Sequence, residues 1–105
     1  MNTQYRQGDV LLVRFRPRRW AALTRVERAG GRIVLAEGEA TGHAHVIDSP
    51  LAELYRDRLD HRYLKIEGPA ELRHEEHDPI ALAPGVYRVL RQREYAPTSN
   101  RRVID

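Results

Sequence analysis

Cysteine is absent from the 105-residue chain. That excludes a disulfide scaffold, a thiolate zinc finger, an iron–sulfur cluster and cysteine-nucleophile chemistry. Long apolar runs are absent too. No stretch approaches the ~18 residues that cross a bilayer as a helix. The opening Met-Asn-Thr-Gln-Tyr-Arg lacks the apolar segment of a secretory signal. These absences predict a cytoplasmic chain with no membrane partner. Aromatics are scarce: five tyrosines, one tryptophan and one phenylalanine. What remains fits a single domain spanning residues 1–105. Hydrophobic residues make up 41% of the chain, enough for one core. A chain this short buries only about two-thirds of its unfolded surface. A bound metal, or a second copy in a homodimer, would add stability.

The charge is segregated. Residues 1–36 hold eight arginines against Asp9 and Glu27, an excess of six positive charges. Residues 37–80 hold eleven carboxylates against five cations, an excess of six negative charges. Residues 81–105 return to an excess of three positive charges. Lys65 is the one lysine; the other basic side chains are arginines. Arginine suits bidentate recognition of phosphate or carboxylate. A nucleic-acid partner is therefore one reading. Arginine-favouring codons, with the acidic middle pairing with the basic ends, are the other.

Short apolar runs separated by turn signals predict an all-β domain with at most one short helix. Gly8-Asp9 turns the chain into Val10–Arg16, a β-rich run that stops at Pro17. Alternation puts Leu11, Val13 and Phe15 on one face, with Val10 and Leu12 on the other. Trp20–Leu23 reads as a helical turn, while Thr24–Arg28 alternates like a strand. Gly30-Gly31 is a hairpin signal. Arg32–Ala36 and His43–Ile47 are strand candidates. Leu51–Leu59 fits either a helix or a strand. Arg62–Ile66, Ala70–His74 and Ile80–Leu82 follow as strands, with a polar corner at Glu75–Pro79. Val86–Tyr95 is the longest candidate, with Tyr87 and Val89 facing one way and Val86 and Leu90 the other. The expectation is a small barrel or sandwich of roughly six to eight strands.

The histidines carry the sharpest signal. Four of the five come in two pairs, His43-Ala44-His45 and His74-Glu75-Glu76-His77. Residues i and i+2 on a strand project from one face. Two neutral imidazoles there can meet one cation, at about 2.0–2.1 Å for zinc. His74 and His77, three apart, face opposite ways on a straight strand, but the corner ending at Pro79 could fold His77 back towards His74. The expected metal ligands are His43, His45, His74 and His77. Glu75 or Glu76 would serve as general base or as a partner that orients an imidazole. Zinc, iron, manganese and nickel all suit such a set. His61, in Asp60-His61-Arg62, reads as an exposed loop residue.

Three blocks resemble a family of small uncharacterised bacterial proteins: Arg6–Leu12 (RQGDVLL), Gly38–Ile47 (GEATGHAHVI) and Leu72–Tyr95 (LRHEEHDPIALAPGVYRVLRQREY). The resemblance spans most of the chain and implies no activity. Gly38 ahead of His43-Ala44-His45, with Pro84-Gly85 in a late turn, is similar to pieces of the cupin motifs. That weaker resemblance implies a cupin-like β-architecture. It carries the ligand set no further than His43 and His45, since no glutamate follows closely and no histidine lies beyond His77.

A metal with an open position would make a bound hydroxide near neutral pH. Arg73, Arg88, Arg91 and Arg93 would then bind an anionic small molecule such as a phosphate ester. A second route uses paired imidazoles as acid and base without metal, which is ribonuclease chemistry, with Tyr87 and Tyr95 as hydrogen-bond donors. A non-enzyme reading joins the arginines, Trp20 and the tyrosines into a stacking and phosphate-contact surface. No RNP-type aromatic cluster is present in the sequence to support it. A non-catalytic subunit of a larger assembly is the remaining alternative.

Overall fold

Ten strands, antiparallel throughout, make two sheets in the computed structural model, which describes residues 4–37 and 44–91. They are β1 (Gln4–Gln7), β2 (Val10–Arg14), β3 (Thr24–Arg25), β4 (Ile33–Glu37), β5 (Ala44–Ile47), β6 (Ala52–Arg56), β7 (Arg62–Ile66), β8 (Ala70–His74), β9 (His77–Leu82) and β10 (Gly85–Arg91). One sheet has the order β1-β2-β10-β7-β6-β3 and the other β4-β5-β8-β9. Among the described residues neither sheet closes on itself. The architecture is thus a pair of packed sheets, and the barrel alternative falls away. The strands exceed the expected six to eight; Gln4–Gln7 forms a strand that the sequence reading does not mark, and β9 begins at His77, inside the expected polar corner.

The core is set by alternation. The larger sheet points Val10, Leu12, Ala52, Leu54, Leu64, Ile66, Tyr87 and Val89 inward. The smaller answers with Ile33, Leu35, Ile47, Leu72 and Leu82. On β2, β6, β7 and β10 these residues lie two apart, as a half-buried strand requires. Burying a side chain of this size is worth about 1.5–3 kcal/mol. The face with Leu11, Val13 and Phe15 is the outer one.

Two ambiguous stretches resolve plainly. Trp20–Ala22 is one 3-10 turn and Thr24–Arg25 is the strand after it. Leu51–Leu59 contains the strand β6, paired along its length with β7, followed by a loop. Gly30 and Gly31 both have positive φ, 61° and 80°, and join Ala29 to Arg32. That is the backbone a type I′ turn demands. Arg28 secures this turn, donating to the carbonyls of Gly31, Ser49 and Ala52 at 3.0, 2.6 and 2.7 Å.

His61 is not a free loop residue. Asp57 accepts hydrogen bonds from the Leu59 and His61 amides at 2.9 Å and from the Tyr63 hydroxyl at 3.0 Å. The His61 ring lies 3.0 Å from its other oxygen. Loss of hydration pushes the Asp57 carboxyl up, but the hydrogen bonds from His61, Tyr63 and Leu59 outweigh it and bring the pKa down to about 2.

The expected polar corner at Glu75–Pro79 shrinks to a two-residue turn, Glu75-Glu76, and Pro79 sits inside β9. β9 is the edge of its sheet, where a missing N–H is tolerated. No described helix is long and apolar enough to cross a membrane.

Candidate functional site

Two tight turns meet at one end of the sheets. β1 pairs with β2 through Gln7 and Val10, which leaves Gly8-Asp9 as a two-residue turn. Gly8 has φ 61°, as the first central residue of a type II′ turn requires. β8 pairs with β9 through His74 and His77, which leaves Glu75-Glu76 as the second turn. The expected corner is thus a tight hairpin turn, and it brings these two histidines face to face. Their ring centroids are 4.6 Å apart.

His45 enters from β5 and is 5% exposed. Its ring lies 4.3 Å from that of His74 and 5.9 Å from that of His77, centroid to centroid. Three imidazoles from two distant stretches of chain thus lie against one another. His43 and Arg93 fall outside the described residues.

Gln7 decides the chemistry of His45. Only 3% exposed, it donates through Nε2 to the carbonyls of Leu72 and Asp78, both at 2.9 Å. Both amide hydrogens are spent there, so Oε1 is left as an acceptor. Oε1 lies 2.9 Å from His45 Nδ1. The proton on neutral His45 therefore sits on Nδ1, and Nε2 carries the lone pair. That nitrogen is 3.5 Å from Asp9 Oδ1. Burial, the neighbouring His74 and His77 and the Arg91 guanidinium lower the His45 pKa to about 4, against the upward pull of Asp9. At neutral pH the ring is uncharged and its lone pair faces a carboxylate.

The other oxygen of Asp9 pairs with Arg91 Nη2 at 3.6 Å. Arg91 and Arg88 border a cavity of about 410 Å³ with His61 and Arg62, where β10 runs past the start of β7. The Nε atoms of both arginines are buried without a hydrogen-bond partner among the described residues. Arg73 lies elsewhere. It is exposed, 3.4 Å from Asp48, and borders a groove of about 520 Å³ that also reaches His74, Glu75 and His77. Glu75 and Glu76 occupy the exposed turn. The Glu76 amide donates to His74 Nδ1 at 3.0 Å. With that contact a neutral His74 carries its proton on Nε2, and ligation through Nε2 would require the proton to move to Nδ1 and the Glu76 contact to be given up. Among the described residues no group of three or more histidine, aspartate or glutamate side chains is arranged as a metal centre.

The sequence model of one protein family matches residues 6–92. The chain belongs to DUF8820, described as a domain of unknown function. A search of curated proteins and a search of solved structures found no match. The cupin resemblance thus has no support. The span matched by DUF8820 holds Gln7, Gly8, Asp9, His45, His74, His77 and Arg91. Gln7 and Asp9 were not singled out from the sequence. Their one signal was the Arg6–Leu12 block, where Gly8-Asp9 reads as an ordinary turn.

Gly8 of this DUF8820 chain is a test of the packing. A Cβ there would lie 2.8 Å from His77 Nε2 and 3.3 Å from His45 Cε1. Gly30 has the same φ of 61° with nothing within 4 Å. Gly30→Ala is expected to cost about 1–2 kcal/mol from backbone strain alone. Gly8→Ala is expected to cost more, because His77 must also shift. Equal midpoints for the two variants in urea unfolding would contradict the close approach.

Proposed function

We propose that this chain binds a divalent metal ion between Asp9, His45 and His77, with His43 and His74 as the remaining ligands. The observation that carries the reading is the fixed tautomer of His45. A buried, uncharged imidazole aims a lone pair at a carboxylate, and a cation between them turns a repulsive contact into two ligand bonds. Gln7 plays the part of the outer acceptor that orients a ligating histidine. Zinc, iron, manganese and nickel all accept imidazole and carboxylate donors.

At neutral pH an uncharged His45 can act only as a base, through Nε2, so the acid of an imidazole pair would have to be another ring. A metal with an open position would instead generate hydroxide there. Glu75 or Glu76 would serve as general base once the ion draws a substrate to the turn. The substrate class we assign is an anionic phosphate ester. An anion entering the cavity beside Arg88 and Arg91 would give their Nε groups an acceptor; Arg73 borders a separate groove and has no part in this contact.

Calorimetric titration of untagged, chelator-treated protein with zinc tests the reading. One site is expected. His45→Ala and His77→Ala should each abolish it, and Gln7→Ala should weaken it about 10–100-fold. His61→Ala should leave it intact. Unchanged zinc binding by His45→Ala would overturn the ligand assignment.

A further inference from the structure

A second surface lies on the outer face of the six-stranded sheet. Register places Tyr55 opposite Tyr63, Tyr63 opposite Arg88, and Arg88 opposite Val13. Tyr63 is shielded yet takes no part in the core cluster. Phe15 covers it, with ring centroids 5.6 Å apart and planes inclined by 26°. Trp20 meets Tyr55 edge-on at 5.2 Å. The Lys65 ammonium sits 5.6 Å from the centre of the Trp20 ring. Phe15, Tyr63, Tyr55 and Trp20 therefore form one band across the sheet. Its two ends stay open, with Phe15 42% and Trp20 37% exposed.

The chain between those ends reads Arg14-Phe15-Arg16-Pro17-Arg18-Arg19-Trp20. Arg14 turns to the other face, its guanidinium 5.6 Å from the centre of the Tyr87 ring. Arg16, Arg18 and Arg19 pair with no carboxylate among the described residues. Uncompensated guanidiniums beside exposed rings call for a partner with two properties. It must carry regularly spaced negative charge, and it must present flat apolar faces. Single-stranded nucleic acid has both, and base–aromatic stacking is tolerant of sequence. A duplex hides its base faces, and this sheet face offers no helix to enter a major groove. An acidic protein would meet the arginines but give the rings nothing to stack on.

We propose that the Phe15–Tyr63–Tyr55–Trp20 band and Arg16, Arg18 and Arg19 form a docking surface for single-stranded nucleic acid. The surface is independent of the metal reading. Its rings were spread along the sequence, and only strand pairing assembles them.

Trp20 is the chain's one tryptophan, so its fluorescence reports on this surface alone. The intact protein is titrated with oligo(dT) and oligo(U), with duplex DNA and with heparin, at several salt concentrations. The single strands should quench Trp20 emission. Trp20→Ala should weaken binding at least about fivefold, and Trp20→Phe, which keeps a ring, should retain most of it. The double variant Arg18→Ala/Arg19→Ala should flatten the dependence of log K on log salt by about 1.4. Far-UV circular dichroism establishes that each variant is folded. No binding of single strands, heparin binding as tightly as oligo(dT) without quenching, or equal affinity of Trp20→Ala and the parent would each overturn the proposal. Equal binding of duplex without quenching would do the same.

Discussion

Gln7→Ala is expected to destabilise the fold by about 3–5 kcal/mol. The side chain is buried and makes three hydrogen bonds at once, to Leu72 O, Asp78 O and His45 Nδ1. Its removal leaves two carbonyls and an imidazole N–H without their partner, and each such group costs about 1–3 kcal/mol when buried. A domain of this kind has only about 5–15 kcal/mol of stability in total. The melting temperature should fall by roughly 15 °C or more. The loss is also topological. Gln7 ends β1 in one sheet, while Leu72 and Asp78 lie on β8 and β9 of the other. Gln7→Glu separates shape from hydrogen bonding. It keeps an acceptor for His45 but presents oxygen to two carbonyls, so it should be damaging at pH 7 despite its matching size. A Gln7→Ala variant within about 0.5 kcal/mol of the parent in urea unfolding would contradict the assignment.

Acidification should remove a further stability contribution, and the window follows from His45. The unfolded chain takes up a proton at this residue near pH 6.5, whereas the folded protein refuses it until about pH 4. Between those values the unfolded state binds more protons, so stability falls as pH falls. Every group facing the ring enters the balance. Burial and the charges of His74, His77 and Arg91 oppose protonation, and Asp9 favours it. The gap is worth roughly 3 kcal/mol. The contribution is complete above pH 6.5 and gone below about pH 4. Asp57 acts in a lower window. Its carboxyl, held at about 2, gives up its share only as pH falls from near 3.8. Unfolding of metal-free protein between pH 7 and 4.5 should therefore carry the His45 slope and none from Asp57. His45→Asn keeps a donor towards Gln7 and has no proton to gain, so its profile should lose that slope. The same slope in both proteins would assign the effect to another group.

Much of this architecture was legible from period-two alternation. The two faces of β2 and β10 and the turn at Gly30-Gly31 follow directly from residue types, but which face of β2 turns inward does not, since Leu11, Val13 and Phe15 are the larger apolar set and lie outside the core. The part that escaped is the part where local and tertiary signals disagree. Pro79 reads as the end of a polar corner, yet it lies within an edge strand that has no need of its N–H. His74 and His77 oppose on a straight strand, and the expected fold-back is a two-residue turn that makes them a cross-strand pair. Leu51–Leu59 supports two periods, and only pairing with β7 selects one. Gln7 and Asp9 were invisible for a different reason. Each is a common polar residue beside a glycine turn, and their roles exist only once β8 and β9 pack alongside. His61 is the partly exposed loop residue the sequence suggests, but its contact with Asp57 across the loop was not visible in it.

The protonation site on His45 is the hinge of the functional reading. Long-range proton–nitrogen correlation of the imidazoles, recorded at pH 7 on chelator-treated protein and again after one equivalent of zinc, tests it directly. The account predicts a neutral His45 with its proton on Nδ1, and an Nε2 resonance that moves when zinc is added while the Nδ1 proton stays. A proton on Nε2, or an Nε2 resonance indifferent to zinc, would contradict it.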